Sequence, residues 1–263
     1  MFLNQKVALI SGSATGLGKK AALELASRGV DIVLNYISSE QEANQLAVYI
    51  QDTYKVKACA IQGDVSQFSE VKSMVQQAMG EMGKIDIVVN NAGPYIPERK
   101  NMVDYEVEDW RKMIDGNLNS VFYLSKLVIP SMRRQGWGRI INIGFDRADT
   151  APGWRFRSAF AAAKVGLVSL TKTLAIEEAE HGITVNMICP GDITQAYKEM
   201  GIEEVQSILD AATPIGRPGT GEDISRVAAF LCETKSDFIT GSIIQVTGGK
   251  DVLNKYLYEE PNE

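Results

Sequence analysis

Gly12-Ser13-Ala14-Thr15-Gly16-Leu17-Gly18 joins the apolar run of residues 7–10 to a helical pattern that ends near Gly29. The apolar run is typical of a buried β-strand, so the glycines occupy a strand-to-helix turn. Glycines there let backbone N–H groups approach a phosphate closely, and the positive end of the helix dipole favours the negative charge. A glycine-rich turn without a ligand has a similar composition, so this stretch alone leaves both interpretations open.

The rest of the chain continues the alternation of short β-branched runs with longer helical patterns. Strands are predicted near residues 7–10, 31–35, 56–61, 85–89, 139–143, 183–189 and 242–246. Helices are predicted at about 17–28, 40–54, 69–82, 106–115, 117–134 and 157–180, with one or two more before the last strand. This order predicts an α/β protein: a Rossmann-like, doubly wound parallel sheet of about seven strands with helices on both faces. No linker-like stretch interrupts the pattern, so residues 1–263 are expected to form one domain.

The composition excludes several classes of protein. The net charge of -6 and the pI near 5.1 argue against a nucleic-acid-binding surface. A single histidine, His181, and three isolated cysteines offer no cluster of metal ligands, so no metal is expected. The cysteines are expected to be small buried side chains in a reducing compartment. Residues 1–6 lack the apolar region of a secretion signal, and no apolar run approaches membrane-spanning length, so we expect a cytoplasmic protein without a membrane partner.

Further motifs follow the glycine-rich turn in chain order. They are Gly63-Asp64-Val65, Asn90-Asn91-Ala92-Gly93, Asn117, residues 139–143, Lys164, Val185-Asn186, Pro190-Gly191-Asp192-Ile193 and Pro214-Ile215-Gly216-Arg217. Together with the spacing Gly-x-x-x-Gly-x-Gly, this series resembles the short-chain dehydrogenase/reductase family over nearly the whole chain. Within that family it is most similar to the branch of 3-oxoacyl-ACP (β-ketoacyl-thioester) reductases. The resemblance implies an NAD(P)-dependent oxidoreductase that acts on a small molecule such as an acyl thioester.

The resemblance also assigns positions around a bound dinucleotide. The expected cofactor-binding residues are Gly12, Ser13, Thr15, Gly16, Leu17, Gly18, Asn35, Tyr36, Ser38, Asp64, Val65, Asn91, Ala92, Gly93, Lys164, Pro190, Gly191 and Ile193. Asn117 and Lys164 match the family's catalytic asparagine and lysine, and a substrate lid is expected at about residues 192–215.

The end of the second predicted strand favours NADP(H) over NAD(H). Relatives that prefer NAD would carry an acidic residue near Tyr36 to bind the ribose 2′-OH, and none occurs there. Ser38 and Ser39 could instead donate hydrogen bonds to a 2′-phosphate, although no arginine marks the usual phosphate clamp.

Two catalytic positions depart from the family pattern. The family's tyrosine, four residues before Lys164, aligns with Phe160, and its serine aligns with Phe145. A hydroxyl can donate a proton or a hydrogen bond to a substrate oxygen, whereas a benzyl group cannot. Loss of a positioned general acid typically lowers a rate by roughly 10²–10⁴. The departures therefore predict a degenerate catalytic site in which ordinary ketone reduction is severely slowed.

Other polar side chains are candidates to replace the missing donors. Tyr95, directly after the Asn-Asn-Ala-Gly motif, is the preferred candidate, and Asp146 and Tyr197 are alternatives. Three arginines that lie close together in sequence are expected to line the entrance and attract an anionic substrate: Arg147, Arg155 and Arg157. For each of these residues, a structural role at the surface or in loop packing is the favoured interpretation.

Two functions therefore remain open. One is an NADP(H)-dependent reductase of altered chemistry that reduces an activated carbonyl or an enoyl thioester. The other is a catalytically silent nucleotide-binding or regulatory protein. The helical patterns near 118–128 and 157–180 are apolar on more than one face, which favours a homodimer or a homotetramer.

Overall fold

The computed structural model describes residues 3–253, so residues 1–2 and most of the charged C-terminal tail lie outside the described part. Its strands are β1 (Val7–Ile10), β2 (Asp31–Tyr36), β3 (Ala58–Gln62), β4 (Ile87–Asn90), β5 (Gly138–Ile143), β6 (Ile183–Pro190) and β7 (Ile243–Val246). They form one seven-stranded sheet in the order β3-β2-β1-β4-β5-β6-β7, and all neighbouring strands run parallel. The predicted α/β class and the parallel sheet are confirmed.

The helices connect successive strands. They are α1 (Gly16–Ser27), α2 (Glu40–Tyr54), α3 (Phe68–Met82), α4 (Val107–Ile114), α5 (Ser120–Gln135), α6 (Ser158–Glu178), α7 (Ile202–Val205) and α8 (Gly221–Cys232). All helices predicted between residues 17 and 180 are present, with ends close to those expected from the sequence.

Strand β1 contributes to two hydrophobic cores. Ala8 and Ile10 pack with side chains of α1, α2 and α8, whereas Val7 and Leu9 pack with side chains of α3 and α5. Successive side chains of a strand point to opposite faces, so a strand that is covered on both faces needs an apolar residue at each position. The continuous apolar run of β1 meets this requirement, and helices cover both faces as predicted.

A buried chain of polar side chains fixes α6 against the sheet. Asn90 Nδ2 donates to Asn142 Oδ1 (2.8 Å), and Asn142 Nδ2 donates to Thr171 Oγ1 (2.8 Å). Thr171 Oγ1 in turn donates to Leu167 O (2.7 Å). Buried polar groups are costly unless they are paired, so this chain favours one position of α6 relative to β4 and β5. That position also determines where Lys164, two turns earlier on α6, can lie.

Helices α4 and α5 are joined by one wide turn rather than by a loop. Residues Asp115–Asn119 form a π-helical turn between the two helices. Asn117 lies in this turn and donates from Nδ2 to Met113 O (3.0 Å) and to Pro94 O (3.0 Å). Its amide therefore satisfies a carbonyl of the widened turn and ties the turn to the loop after β4.

Helix α6 and the turn after it are apolar enough to pass for a membrane span. The stretch Ser158–His181 has a mean hydropathy of 1.4 in its most apolar window, so the expectation that no apolar run approaches spanning length is wrong. In the structure α6 packs against β6, and Leu167 and Ala175 are buried there. The core helix of a globular protein needs the same composition, so hydropathy alone does not assign α6 to a membrane.

Candidate functional site

A cleft of about 820 Å³ opens where β1, β4, β5 and β6 end. In a doubly wound sheet, ligands bind at the carboxyl ends of the strands, and this cleft lies there. It brings together most residues predicted from the sequence: Gly12, Thr15, Gly16, Leu17, Asp64, Val65, Asn91, Ala92, Gly93, Tyr95, Asn117, Phe145, Phe160, Lys164, Pro190, Gly191 and Ile193.

The glycine-rich turn has the backbone that a close-approaching phosphate requires. Gly12 and Gly16 have φ values of +60° and +64°, a conformation that other residues rarely adopt. A Cβ on Gly18 would lie 2.5 Å from Gly12 O, so this position admits only glycine without a shift of the backbone. The N–H groups at the start of α1 border the cleft, where Gly16 N donates to the carboxylate of Glu199 (2.8 Å). The turn therefore already binds an anionic group, and the residues present fit the phosphates of a dinucleotide.

Five predicted cofactor residues do not line the cleft. Two of them, Ser13 and Asn35, form hydrogen bonds that hold the glycine-rich turn in place. Ser13 is buried; its Oγ donates to Ile10 O (2.8 Å) and accepts from Asn35 N (3.1 Å). Asn35 Oδ1 accepts from Gly12 N (3.1 Å), and its Nδ2 donates to Gly63 O (2.9 Å). These side chains connect the turn to β2 and to the loop after β3. The other three outside the cleft wall are Gly18, Tyr36 and Ser38, while Ile37 lines it in their place.

Lys164 reaches the cleft from α6 and is only 4% exposed. Its Nζ donates to Ile143 O (2.7 Å) at the end of β5. Burial disfavours the charged amine and lowers the pKa of Lys164 from 10.5 to about 8. This lysine therefore gains or loses its charge near pH 8.

Asn117 has one polar group used by the fold and one that is free to bind. Its Nδ2 protons are used within the fold, as described above, but its Oδ1 is buried and has no hydrogen-bond partner among the described residues. That oxygen lies beside Gly93, where an added Cβ would be only 2.3 Å away. An unpaired buried acceptor in the wall of a cleft is suited to a bound donor or a water molecule.

Phe160 lies at the centre of an aromatic cluster, defined here as Tyr95, Phe145, Trp154 and Phe160. The ring centroid of Phe160 is 5.3 Å from that of Tyr95 and 6.0 Å from those of Phe145 and Trp154. Lys164 Nζ lies 5.8 Å from the Phe160 centroid. Phe145 and Phe160 therefore lie next to each other, and Phe160 lies beside Lys164. Trp154 lies in the loop between β5 and α6. It belongs to no motif, so it was not predicted as a site residue from the sequence.

The arginines predicted at the entrance do not line the cleft. Arg147 donates to Asp251 Oδ1 (2.7 Å), and the Arg155 guanidinium lies over the ring of Phe156. Arg157 is buried and binds the loop after β4. The three arginines therefore do not form a positively charged entrance to the cleft, because each one makes a different local contact.

The alternative donors differ in their access to the cleft. Asp146 lines it, but its Oδ2 accepts from Val252 N (3.1 Å), and burial raises the pKa of its carboxyl. Tyr197 lies in a single turn, Gln195–Tyr197, and does not line the cleft. Tyr95 lines the cleft and is 46% exposed.

Residues after β6 close one side of the cleft, and sequence reasoning missed their main contact. Gln195 and Lys198 line the cleft, while Glu199 accepts hydrogen bonds from Gly16 N (2.8 Å) and Lys19 Nζ (2.6 Å). No motif marks Glu199, since its role depends on a contact across most of the chain.

In residues 3–253, no group of three or more histidine, cysteine or acidic side chains lies close enough to hold a metal ion.

Known proteins resemble this chain over nearly its full length. A family described as enoyl-(acyl carrier protein) reductase matches residues 12–251. YtkK of Bacillus subtilis, provisionally named an oxidoreductase, is 50% identical over 94% of this chain and 97% of its own. The 3-oxoacyl-[acyl-carrier-protein] reductase FabG of Haemophilus influenzae is 36% identical over 93% of this chain and 97% of its own.

A solved structure from Bacillus thuringiensis, provisionally described as a 3-oxoacyl-reductase, has the same fold. It superimposes with a TM-score of 0.88 and 50% identity, covering 94% of this chain and 99% of that one. Sheet order, cleft and sequence similarity agree, and the chain belongs to the short-chain dehydrogenase/reductase family, whose members are oxidoreductases that use NAD(P)H.

Proposed function

We propose that this protein is an NADP(H)-dependent reductase with a degenerate catalytic site, acting on an activated carbonyl or an enoyl thioester. The observation that carries the proposal is the pair of rings beside Lys164. Phe145 and Phe160 both line the cleft, with their ring centroids 6.0 Å apart, at the two positions where the sequence comparison predicts the family's serine and tyrosine. A site without these hydroxyls favours a substrate whose reduction depends less on immediate protonation.

The cofactor site supports the NADP(H) part of this proposal. The glycine-rich turn and Lys164 remain in place at the cleft. At the end of β2, the residue that lines the cleft is Ile37 and not the acidic residue that would accept a hydrogen bond from a ribose 2′-OH. When bound, the nicotinamide supplies a hydride, and Lys164 and Asn117 are placed to hold polar groups of the cofactor or a water molecule beside it.

An activated substrate fits what the chain's own residues can do. If the reacting carbon is conjugated to a thioester carbonyl, negative charge develops on the carbonyl oxygen as an enolate, and the final proton can arrive later. The cleft then has to orient the substrate, exclude bulk water and offer one donor to that oxygen. Phe145 and Phe160 can provide apolar walls, and Tyr95 is the retained candidate donor. The names of the matched family and of FabG, which refer to enoyl and 3-oxoacyl carriers, support an acyl thioester.

The test combines binding with turnover. NADPH and NADH are titrated into the purified full-length protein by calorimetry, and NADPH oxidation is then measured with enoyl thioesters, 3-oxoacyl thioesters, enones and simple ketones. We expect tighter binding of NADPH than of NADH, and turnover of the conjugated compounds well above that of simple ketones. Absence of NADPH oxidation across the whole panel would contradict the proposed reductase.

The catalytically silent alternative is favoured by one observation. Phe160 contacts three other rings, so apolar groups fill the space beside Lys164 where a substrate oxygen would need donors. On this alternative the protein binds NADP(H) to report its level or to pair with an active relative. Tight NADPH binding with no turnover of any compound is its expected result, and robust turnover by the protein alone removes it.

Self-assembly is also part of the proposal. Ile176 on α6 is 80% exposed, and Phe122 on α5 is 48% exposed. Exposed apolar side chains on neighbouring helices are typical of a surface that a second copy covers. We expect a homodimer or homotetramer by light scattering, and Ile176→Lys should shift it toward the monomer.

Residues 192–215 are proposed as the substrate lid, since Ile193, Gln195 and Lys198 border the cleft. A cytoplasmic location is also proposed, because it accords with the three free cysteines.

A further inference from the structure

The cleft offers few hydroxyl groups near Lys164. The hydroxyl-bearing residues that line it are Thr15, Ser66 and Tyr95. Thr15 belongs to the glycine-rich turn and Ser66 to the loop after β3, whereas Tyr95 packs edge-to-face on Phe160 with the ring planes at 89°. Tyr95 thus carries the hydroxyl of the aromatic cluster, and its ring contacts that of Phe160.

The hydroxyl of Tyr95 is held by a buried guanidinium. Arg157 Nε donates to Tyr95 Oη (2.5 Å), and Arg157 is only 5% exposed. Because the phenol oxygen accepts this bond, its own proton is available to another acceptor. In residues 3–253 no acceptor for that proton is found. The fold itself therefore does not use this proton, and Tyr95 belongs to the wall of the cleft.

The remaining N–H groups of Arg157 fix the loop that carries Tyr95. Nη1 donates to Glu98 O (2.8 Å) and Phe156 O (2.9 Å), and Nη2 donates to Pro97 O (2.9 Å). The guanidinium carbon lies 4.8 Å from the Tyr95 ring centroid. These contacts tie the loop after β4 to the start of α6, so they set the position of the Tyr95 ring against Phe160.

Within the described part of the chain, Arg157 forms no ion pair with a carboxylate, and its hydrogen bonds go to three backbone carbonyls and to Tyr95. A buried cation without a counter-ion is costly, and negative charge on a neighbouring oxygen relieves that cost. The oxygen that Arg157 Nε contacts is that of Tyr95. The same N–H can stay hydrogen-bonded to the Tyr95 oxygen after its proton leaves.

We propose that Tyr95 is the proton donor of this cleft and that Arg157 is the positioning residue that orients it and stabilises its oxyanion. The proposal rests on the reductase function proposed above. The O–H bond of Tyr95 breaks, the proton bonds to the substrate's enolate or carbonyl oxygen, and the electron pair stays on the Tyr95 oxygen. Solvent then returns a proton to Tyr95, which is half-exposed. The overall reaction consumes substrate, NADPH and one proton, and it yields the reduced substrate and NADP⁺.

The primary test uses the full-length protein with NADPH and the conjugated substrate that turns over fastest in the panel above. Tyr95→Phe keeps the ring contact with Phe160 and removes only the hydroxyl, so we expect kcat to fall by about 10²-fold with little change in NADPH affinity. The matched control is Tyr105→Phe, whose hydroxyl also binds this region by donating to Phe156 O (3.1 Å) but does not line the cleft. We expect its kcat to stay within about threefold of the wild type.

Variants of Arg157 separate its electrostatic role from loop packing. Arg157→Gln should lower kcat at least tenfold and leave KM for the substrate within about threefold. Arg157→Lys keeps the charge but loses the planar set of donors, so it should restore part of the lost kcat. Melting temperatures identify a variant that has lost its fold. If Arg157→Lys and Arg157→Gln are both folded and lower kcat equally, Arg157 does not act through its charge.

Two outcomes distinguish this proposal from the proposed function. If the wild type is active and Tyr95→Phe is equally active, the reductase stands and Tyr95 is not its proton donor. Trp154→Phe is the competing variant, because Trp154 Nε1 is buried in the cleft wall without a partner among the described residues. Loss of activity in Trp154→Phe but not in Tyr95→Phe would also overturn the proposal. A wild type inactive with every compound removes both.

Discussion

The backbone N–H of Gly16 donates a hydrogen bond of 2.8 Å to the carboxylate of Glu199, which arrives from the segment after β6. Glu199 also accepts from Lys19 Nζ (2.6 Å), so it sits at the N-terminus of α1. Burial alone would raise the pKa of Glu199, but the bonds from Gly16 and Lys19 outweigh it and hold the pKa below its ordinary value. The carboxylate is therefore charged at neutral pH, at the end of the helix where a cofactor phosphate is expected.

Glu199→Gln should bind NADPH more tightly than the wild type. The amide keeps the shape of the side chain but removes a negative charge that repels phosphate, and we expect Kd to fall by roughly threefold to tenfold, or about 1 kcal/mol. Fluorescence titration with NADPH at fixed ionic strength measures the change. Glu203→Gln, on an exposed residue at the start of α7, is the control and should leave Kd unchanged. Equal or weaker binding by Glu199→Gln would show that the carboxylate does not compete with the cofactor.

Ile37→Asp should weaken NADPH binding selectively. Ile37 lines the cleft at the end of β2, where an acidic side chain would repel a 2′-phosphate but could accept a hydrogen bond from a ribose 2′-OH. We expect Kd for NADPH to rise about tenfold or more while Kd for NADH stays level or falls. Ile37→Asn controls for the loss of the apolar side chain. If the Asp variant weakens both cofactors equally, Ile37 does not lie beside the 2′ position.

Lys164→Met should change how stability depends on pH. Because burial lowers the pKa of Lys164 from 10.5 to about 8, the unfolded chain holds this proton more tightly than the folded chain does. Between these values the unfolded state binds more protons, so the free energy of unfolding of the wild type rises with pH relative to the variant. The full rise is up to about 3 kcal/mol.

Denaturant unfolding of both proteins from about pH 7.5 to pH 10.5 tests the Lys164 prediction, since titration of all other groups cancels in the difference. At about pH 7 and below, both states of the wild type are protonated at Lys164, so the difference should level off toward the lower end of this range. A difference that stays flat over the whole range would mean that the pKa of Lys164 is not lowered.

Phe145→Ser combined with Phe160→Tyr should create ketone reductase activity. Each substitution introduces one hydroxyl into the cleft wall, at position 145 or at position 160. We therefore expect at least a tenfold gain in ketone turnover, with NADPH affinity unchanged. Replacing the buried Phe145 leaves a cavity that costs about 3–5 kcal/mol, so Phe160→Tyr alone is assayed as the better-folded variant. Phe122→Tyr, on an exposed ring of α5, is the control. A wild type that already reduces ketones as fast as the double variant would show that another acid acts in the cleft.

Much of the fold could be predicted because its signals are local. The apolar run of β1 is buried on both faces, and the glycines at 12 and 16 take positive φ values that only a turn of that kind needs. Each element's type follows from the periodicity of its own residues. The parallel order then follows from the alternation of strands and helices, since crossovers of that kind are right-handed.

The site was predictable wherever a residue follows directly from a strand end. Asn91, Gly93 and Phe145 come one to three residues after β4 or β5. They therefore lie at the edge of the sheet where the cleft opens. Ser13 and Asn35 are near the same edge but turn inward, because their side chains satisfy buried backbone groups of the neighbouring segment. Whether a polar residue faces the cleft or the interior depends on which unpaired groups surround it.

By itself, the sequence determined the strand–helix order, the glycine-rich turn and the absence of a hydroxyl at positions 145 and 160. Only the tertiary structure decided that Trp154 completes the aromatic cluster, that Arg157 is buried against Tyr95, and that Glu199 reaches Gly16. Backbone conformation is governed by near neighbours along the chain, whereas these contacts join segments far apart in sequence. Their geometry is set by how helices and loops pack on the sheet, and no local pattern records it.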